Sequence, residues 1–422
     1  MIEVLESDMT VAGHSVTEMA AEFGTPLVIL DQDDIQSRMR AAVAGLSDAP
    51  AGSRILYASK ALGLLGVLRL AVHEGLGLDV VSSGEVAAAL RAGAAPDLLW
   101  WHGNAKSDQD LAMALQLPVG RIVVDNADEL ARLREAARAV RARPPVILRL
   151  APPAAHLHKF GFQPDEAEAA LRSMAPMAAD GPQIMGFHIH MGAIPLGHRS
   201  RSPEPFLELV RRQMAFAADV RERLGYWPQE INVGGGFGIA ADPAEPALEL
   251  RPLLASLVAE VRTQAGRMGL PTPRFFAEPG RSLVGPAGLT VYTVQSVKTG
   301  ADGRGVVAVD GGVGDNPRPM LYGADAGHPV RLVARPGTDA STPHHVVGRY
   351  CDAHDVIREN VPLDHPARGD LMAVLNTGAY CVPLSSQYNR VPRPPVVLVS
   401  GGQIRLIMRR ETLDDLFARE ID

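Results

Sequence analysis

The sequence predicts an α/β protein, in which an N-terminal (β/α)8 TIM barrel is followed by a C-terminal antiparallel β-domain. From about residue 54 to residue 280, short apolar runs alternate with segments whose apolar residues recur every three or four positions. After Gly280 the chain changes to β-branched runs separated by many glycines and prolines, which is typical of an antiparallel sheet. The alternation would also suit a doubly wound open sheet, so the strand count alone does not distinguish a closed barrel from an open sheet.

The apolar runs predict barrel strands, and the amphipathic segments between them predict the helices that cover the barrel. The predicted strands are 55–59, 77–81, 98–102, 121–125, 145–150, 184–189, 230–233 and 274–277. The predicted helices are 62–74, 84–92, 107–115, 127–142, 164–174, 204–224 and 251–269.

In the C-terminal part the predicted strands are 289–297, 305–309, 330–334, 370–375, 395–399 and 403–408. The expected boundaries are 25–285 for the barrel and 286–422 for the β-domain, which residues 1–24 join. Segment 25–31 predicts a further strand that precedes the barrel and is a candidate member of the β-domain.

Composition limits the classes of partner. The net charge of −7 is spread over 41 basic and 48 acidic residues without long runs, which argues against nucleic acid or an anionic membrane as the main partner. The chain has two cysteines, so neither a disulfide framework nor a thiolate metal cluster is expected. We see no signal peptide at the start and no apolar stretch of membrane-spanning length, and we expect a cytoplasmic location.

Active sites of such barrels lie at the carboxyl ends of the strands, so residues that follow each run are candidates for chemistry. Lys60 follows the first run, where desolvation would lower its pKa and make it a usable amine for a Schiff base. A salt-bridged lysine at a strand edge is the alternative. Gly234–Gly236 follow the seventh run and suit an anion held by backbone N–H groups.

Two further runs end in polar residues. The eighth ends in Glu278-Pro279-Gly280-Arg281, where the acid could pair with a pyridinium nitrogen and the arginine could bind a phosphate or carboxylate. A surface ion pair at a proline turn is the alternative. The sixth ends in His188-Ile189-His190, and because no third ligand is evident we expect stacking of an imidazole rather than a metal site.

The ordered set of motifs resembles the fold type III pyridoxal-phosphate decarboxylases, which include the diaminopimelate and ornithine decarboxylases. The motifs are YASKA (57–61), LDVVSSGE (78–85), HGNAKS (102–107), LRL (148–150), KFGF (159–162), HIHMG (188–192), GGGFG (234–238), EPGR (278–281), DNPRPMLYGA (315–324), CDAHD (351–355), GAY (378–380) and YNRVPRP (388–394).

The resemblance implies an alanine racemase-like barrel that binds pyridoxal 5′-phosphate, with Lys60 as the residue that carries the cofactor. It implies that His190 stacks on the pyridine ring, that Glu278 pairs with its nitrogen, and that Asp79 and Arg149 lie near the lysine and the phenolic oxygen. The remaining implied cofactor contacts, mainly to the phosphate, are Gly235, Gly236, Gly280, Arg281 and Tyr380.

For the substrate, the resemblance implies that Cys351 donates the proton that replaces the lost carboxylate. The implied substrate contacts are Arg281, Arg318, Tyr322, Asp352 and Tyr380. The family's active sites are shared between the subunits of a homodimer, so Cys351 and Asp352 would come from the partner subunit. The substrate would be diaminopimelate or a related diamino or dicarboxylic amino acid.

The chain departs from the pattern of diaminopimelate decarboxylases at three places. Ala193 lacks a hydroxyl that would bind phosphate, Leu62 replaces an asparagine, and Asp352 replaces a glutamate that contacts the distal amine. Because ornithine-type relatives also have Cys-Asp, an ornithine, lysine or arginine-type decarboxylase stays open. A racemase is disfavoured by Glu278, and a non-catalytic cofactor-binding protein is disfavoured by the β-domain with Cys351.

Overall fold

In the computed structural model, the chain before the barrel forms a small sheet, two helices and one strand that pairs far along the sequence. The structure describes residues 2–4, 8–152, 159–174, 181–190, 202–240, 242, 245, 248–323, 327–334 and 342–421. The first elements are β1 (Ile2–Val4), β2 (Met9–Val11), β3 (His14–Ser15), α1 (Val16–Phe23), β4 (Leu27–Asp31) and α2 (Gln32–Ala44). Both helices, which the sequence analysis did not predict, begin after a side chain that accepts a backbone N–H.

Eight parallel strands then close into a barrel. They are β5 (Arg54–Ala58), β6 (Gly77–Val80), β7 (Leu99–Trp101), β8 (Arg121–Val124), β9 (Pro145–Leu150), β10 (Gln183–Ile189), β11 (Glu230–Asn232) and β12 (Arg274–Ala277). Each pairs with the next in the chain, and β12 pairs with β5 to close the ring. The predicted (β/α)8 barrel is therefore confirmed, and the open-sheet alternative is wrong.

Side chains fill the interior of the barrel, and helices cover its outside. Buried side chains from six of the eight strands meet inside and fill the barrel; they are Leu56, Trp100, Val123, Ile147, Met185 and Phe276. The outer helices are α3 (Leu65–His73), α4 (Ser83–Arg91), α5 (Asp108–Gln116), α6 (Ala127–Ala139), α7 (Pro164–Met174), α8 (Glu204–Leu224) and α9 (Leu250–Arg267), and the short α10 (Arg281–Val284) follows β12.

The C-terminal part forms the β-domain. Its elements are β13 (Gly288–Thr299), β14 (Gly305–Val309), α11 (Arg318–Tyr322), β15 (Val330–Leu332), β16 (Thr342–Val347), β17 (Val356–Leu363), β18 (Leu371–Leu375), β19 (Val396–Ser400), β20 (Gln403–Met408) and α12 (Leu413–Phe417). The main order is β17-β16-β14-β13-β4-β19-β20, and β18 pairs with β13 and β15.

This sheet is mostly antiparallel, as predicted, but two of its pairs are parallel: β14 with β16, and β19 with β4. Strand β4 also pairs with β13. It therefore belongs to the sheet, although the expected boundary at residue 25 placed it in the barrel unit. The long β13 begins shortly after α10, which follows the last barrel strand. The sheet therefore lies beside the carboxyl ends of the barrel strands. There the Tyr380 N–H donates a hydrogen bond of 2.9 Å to the Ala61 carbonyl.

Among the described helices, none combines the length and the apolar character that crossing a membrane requires.

Candidate active site

Lys60 and Asp79 form an ion pair at the carboxyl ends of the first two barrel strands. Lys60 follows β5 in a short 3-10 turn (Ser59–Ala61), and Asp79 lies in β6. The Lys60 Nζ is 3.2 Å from Asp79 Oδ2; the Asp79 side chain is fully buried, whereas the Lys60 side chain is 47% exposed. The Asp79 carboxylate raises the pKa of Lys60 and outweighs the opposing effect of burial. The expectation that desolvation lowers this pKa is therefore wrong.

The Glu278 carboxylate, which follows β12, is surrounded by donors from three other strands. Its Oε1 accepts a hydrogen bond of 2.7 Å from Asn232 Nδ2 and lies 2.9 Å from His102 Nε2. Its Oε2 lies 3.3 Å from His188 Nε2. Burial tends to raise the pKa of Glu278, but His102 and His188 hold it well below its usual range. An ionised carboxylate is therefore held in the barrel mouth.

His102, His188 and Glu278 place their ligand atoms within 4.8 Å of one another, a spacing that could hold a metal ion. The sequence paired His188 with His190, whereas the structure groups His188 with His102 and Glu278, and His190 is not a member of this group. His190 instead lies parallel to His188, with 6.5 Å between ring centroids. The two imidazoles lie 2.9 and 3.3 Å from the buried carboxylate, and providing polar neighbours for that group is sufficient reason for the cluster.

The glycine loop 234–236 lies against His190 and Glu278. The Gly235 N–H donates to His190 Nδ1 at 3.0 Å, and the Glu278 N–H donates to the Gly234 carbonyl at 2.8 Å. A Cβ at Gly235 would lie 2.1 Å from the Glu278 carbonyl oxygen, and Gly236 has a φ of 86°. Burial lowers the pKa of His190 to about 3, so its ring is neutral and is held by the loop.

Arg149, in β9, lies on another side of the same cluster. Its Cζ is 4.1 Å from the ring centroid of Phe160, and its buried Nε lacks a hydrogen-bond partner within the described parts of the chain. Burial lowers the pKa of Arg149, and the charges of Asp125, Glu278 and Asp79 oppose that effect. The guanidinium therefore has a buried donor available for a ligand.

Two arginines approach from α10 and α11. The Cζ of Arg281 is 5.1 Å from the Tyr380 ring centroid, and the Cζ of Arg318 is 5.4 Å from that of Tyr322. Arg318 is 4% exposed, and its Nη1 is buried without a partner in the described structure. Burial and then the charge of Arg318 lower the pKa of Arg281. Two like charges thus lie together with no carboxylate paired to either among the described residues.

A cavity brings several of these groups together, although Arg149 and Arg318 are not among its lining residues. It is lined by Ala58, Lys60, His190, Gly236, Phe237, Glu278, Gly280, Arg281 and Tyr380. Of these residues, all except Ala58 and Phe237 were singled out from the sequence. Asp79 and Gly235 lie immediately behind the lining, in contact with Lys60 and with His190 and Glu278 respectively.

Cys351 and Asp352 do not line this cavity. Cys351 is exposed in a turn before β17, and its N–H donates to Asn389 Oδ1 at 3.0 Å. Asp352 Oδ1 accepts the His354 N–H at 2.8 Å, and this bond lowers the pKa of Asp352. Met191, Gly192, Ala193 and Ile194, which carry the departure from the phosphate-binding pattern, lie outside the described residues.

His102 and Asn232 belong to the site but were not predicted from the sequence. His102 directly follows β7, and Asn232 is the last residue of β11. Active sites of such barrels lie at the carboxyl ends of the strands, so the position of both residues could have identified them as candidates. Their importance comes from contacts across the barrel with Glu278, which the order of residues along the chain does not show.

The residues present fit pyridoxal phosphate. Arg149 Nε and Ser282 Oγ are buried donors without partners among the described atoms. A Cβ at Gly235 or Gly280 would meet neighbours at 2.1 and 3.0 Å, so the backbone there is shaped for close approach. An amine, an ionised carboxylate and a neutral imidazole face one cleft. This donor set is that of one class, the barrel enzymes that use pyridoxal phosphate: it offers an amine for the cofactor's aldehyde and buried donors for its phosphate.

Comparison with known proteins identifies the family. The family described as "Pyridoxal-dependent decarboxylase, pyridoxal binding domain" matches residues 32–285. The curated diaminopimelate decarboxylase of Actinosynnema pretiosum subsp. auranticum is 38% identical over 98% of this chain and 93% of its own. The chain belongs to the pyridoxal-dependent decarboxylases, and it is a pyridoxal-phosphate-dependent amino-acid decarboxylase.

Solved structures agree with this assignment. The crystal structure of diaminopimelate decarboxylase from M. jannaschii in complex with L-lysine has a TM-score of 0.91 and 26% identity, covering 100% of this chain and 98% of that one. The lysine/ornithine decarboxylase from Vibrio vulnificus complexed with putrescine has a TM-score of 0.77 and 25% identity, covering 93% of this chain and 100% of that one.

Proposed function

We propose that the enzyme decarboxylates diaminopimelate or a close diamino acid with a second carboxylate. The pair of arginines, Arg281 and Arg318, carries this proposal. Two adjacent guanidiniums without a carboxylate partner among the described residues form a site for an anion. Arg281 lines the cavity beside Lys60, so an anion held there would belong to a substrate whose α-carbon lies near the lysine.

The names of the relatives support the same substrate. The curated protein that shares 38% identity is a diaminopimelate decarboxylase, and so is the structure solved with L-lysine. Lysine is what remains when diaminopimelate loses one carboxylate.

The proposed roles of the cavity residues follow from their chemistry. When bound, pyridoxal phosphate supplies an electron sink for the breaking Cα–carboxylate bond. Lys60 would carry the cofactor, and Asp79 holds the Lys60 ammonium in its absence. The ionised Glu278 would keep a ring nitrogen protonated, and the neutral imidazole of His190 would pack against the ring.

The remaining contacts lie around the phosphate and the substrate. Backbone groups of Gly235, Gly236, Gly280 and Arg281, with the Tyr380 hydroxyl, hold the phosphate. Arg149, whose buried Nε has no partner among the described residues, would donate to the phenolic oxygen. The exposed Tyr322, whose ring lies below the Arg318 guanidinium, completes the substrate contacts.

We further propose that the enzyme acts as a homodimer, in which the partner's Cys351 protonates Cα and the partner's Asp352 contacts the distal part of the substrate. Both residues lie outside the cavity of their own chain. The neighbouring α11 exposes Met320, Leu321 and Tyr322 by 49 to 61%, an apolar surface that suits a subunit interface. The free thiol of Cys351 is exposed, which fits a reducing compartment and thus the proposed cytoplasmic location.

A second candidate substrate is ornithine or lysine. It is favoured by Asp352, which is one methylene shorter than the glutamate expected for diaminopimelate, and by the similarity to the Vibrio vulnificus enzyme. The two candidates differ in the distal group: a carboxylate would be attracted by Arg318, whereas a lone ammonium would be repelled.

Carbon dioxide release from a panel of diaminopimelate stereoisomers, lysine, ornithine and arginine tests the proposal. We expect turnover of diaminopimelate, and in Arg318→Met a KM for it that is raised about 10- to 100-fold, as loss of one charged hydrogen bond predicts. Arg331→Met, which removes an arginine paired to Asp242 away from the cavity, is the control. Turnover of ornithine or lysine alone, unaffected by Arg318→Met, would contradict the proposal.

A further inference from the structure

Asn232 connects two parts of the active site through one side chain. It ends β11 and is fully buried. Its Nδ2 donates to Glu278 Oε1 at 2.7 Å, while its Oδ1 accepts the Gly234 N–H at 2.8 Å. The Glu278 N–H in turn donates to the Gly234 carbonyl at 2.8 Å. The amide, the carboxylate and the glycine loop therefore form a closed ring of contacts.

We propose that Asn232 is a positioning residue that fixes the Glu278 carboxylate relative to the glycine loop 234–236. These two groups contact different parts of the cofactor, its ring nitrogen and its phosphate, in the function proposed above, and the inference depends on those assignments. One amide would thus set the spacing between the partner of the ring nitrogen and the phosphate loop.

The chemistry requires an amide at this position. A side chain that donates on one side and accepts on the other must carry both an N–H and an oxygen in a fixed plane, as asparagine does. Aspartate would accept at both ends and face Glu278 with a like charge. Because both partners are buried, removing the amide would leave a carboxylate oxygen and an N–H without this partner, which is costly.

The other contacts of Glu278 explain why its orientation matters. A carboxylate has about four positions that accept hydrogen bonds. Asn232 Nδ2 and His188 Nε2 lie at hydrogen-bond distance from Glu278, at 2.7 and 3.3 Å, and His102 Nε2 lies 2.9 Å from it on a third side. The space left for a ring N–H is therefore narrow, so a small rotation of the carboxylate would misalign it.

Gln213 provides a matched control. It lies on α8, is equally buried, and its Nε2 donates to the backbone carbonyls of Phe187 at 2.9 Å and of Asn232 at 3.2 Å. It therefore supports the same strands without touching the Glu278 carboxylate or the glycine loop. If the role of Asn232 is purely structural, Asn232→Ala and Gln213→Ala should weaken cofactor binding to the same extent.

The experiment titrates pyridoxal phosphate into the full-length protein freed of cofactor, for wild type, Asn232→Ala and Gln213→Ala. Absorbance of the bound cofactor gives its dissociation constant, and thermal unfolding without cofactor gives stability. We expect Asn232→Ala to weaken binding about 10- to 100-fold and Gln213→Ala by less than about threefold, although both lower the midpoint of unfolding.

Asn232→Asp tests the donor side of the amide while keeping the acceptor side. It also provides a second test if Asn232→Ala does not fold. It keeps an acceptor for the Gly234 N–H, and while protonated it can still donate to Glu278. Once ionised it repels that carboxylate. We therefore expect the ratio of its cofactor dissociation constant to that of wild type to increase as pH rises from about 5.5 to 8.5.

Three results would overturn the role of Asn232 and leave the proposed function intact. They are cofactor binding by Asn232→Ala within about twofold of wild type, equal losses in Asn232→Ala and Gln213→Ala, and a ratio for Asn232→Asp that does not vary with pH. If wild type itself fails to bind pyridoxal phosphate, the cofactor assignments of the proposed function fail and this inference fails with them.

Discussion

At the residue scale, the ion pair with Asp79 determines how the Lys60 amine is held before the lysine reacts with the cofactor. Because Asp79 raises the pKa of Lys60, the lysine is an ammonium at neutral pH and needs a base to become a nucleophile. We expect Lys60→Ala to lose the absorbance band near ~420 nm that marks a covalently bound cofactor. Lys298→Ala, which changes an exposed lysine in β13, should keep the band. Retention of the covalent band in Lys60→Ala would show that another amine carries the cofactor.

The sequence could predict which residues meet in one cavity where their position follows from strand order. Lys60, His190, Gly236 and Glu278 each follow a barrel strand, and closing the ring brings such positions to one face. The direction of the pKa shift at Lys60 could not be predicted in this way, because it depends on the distance to a carboxylate on the neighbouring strand. The same limit applies to Asn232, because its partner Glu278 follows the neighbouring strand β12 and its partner Gly234 lies in the loop after its own strand.

At the element scale, the turn that precedes α11 contains a buried carboxyl group with an unusual pKa. Asp315 accepts hydrogen bonds from the Tyr292 hydroxyl and the Gly312 N–H, three residues before Arg318. Burial, with the charges of Asp355 and Asp310, raises the pKa of Asp315 to about 7. The turn that carries Arg318 is therefore fastened to β13 by a group that titrates near neutral pH.

This pKa predicts how stability depends on pH. An unfolded aspartate titrates near ~3.9. Between that value and about 7 the folded protein retains a proton that the unfolded chain has lost, so this group's contribution to stability falls as pH rises. From pH 5 to pH 8 we expect wild type to lose roughly 2–3 kcal/mol relative to Asp315→Asn, measured by urea unfolding. Parallel pH dependences in the two proteins would contradict this.

Element prediction succeeded in the barrel and was less complete in the sheet. Strands β9 and β12 have the predicted bounds because parallel strands that are buried on both faces are continuous apolar runs. Strands β16 and β17 were missed, since β16 begins Thr-Pro-His-His and β17 contains Arg, Glu, Asn and Pro. Such polar strands lie toward one edge of the sheet, where one face meets solvent and the sequence has no clear apolar pattern.

At the scale of the whole molecule, the position of Cys351 decides how many chains build one active site. If Cys351 acts on the cavity of the partner subunit, neither Lys60→Ala nor Cys351→Ala alone should turn over substrate well. Mixing the two variants, with exchange of subunits, should restore activity. A mixed dimer then has one site that carries both substitutions and one that carries neither.

The amount of activity that mixing restores distinguishes a shared active site from one built by a single chain. Random exchange makes about half of the dimers mixed, and each has one intact site of two, so equal mixing should reach about a quarter of wild-type activity. Mixing Lys60→Ala with Glu278→Gln, whose positions line the same cavity of one chain, should restore nothing, because every site then contains one of the two changes. Equal recovery in both mixtures, or a monomer by sedimentation, would contradict a shared site. A Cys351→Ala variant with full activity would remove the thiol from the reaction, whatever the number of subunits.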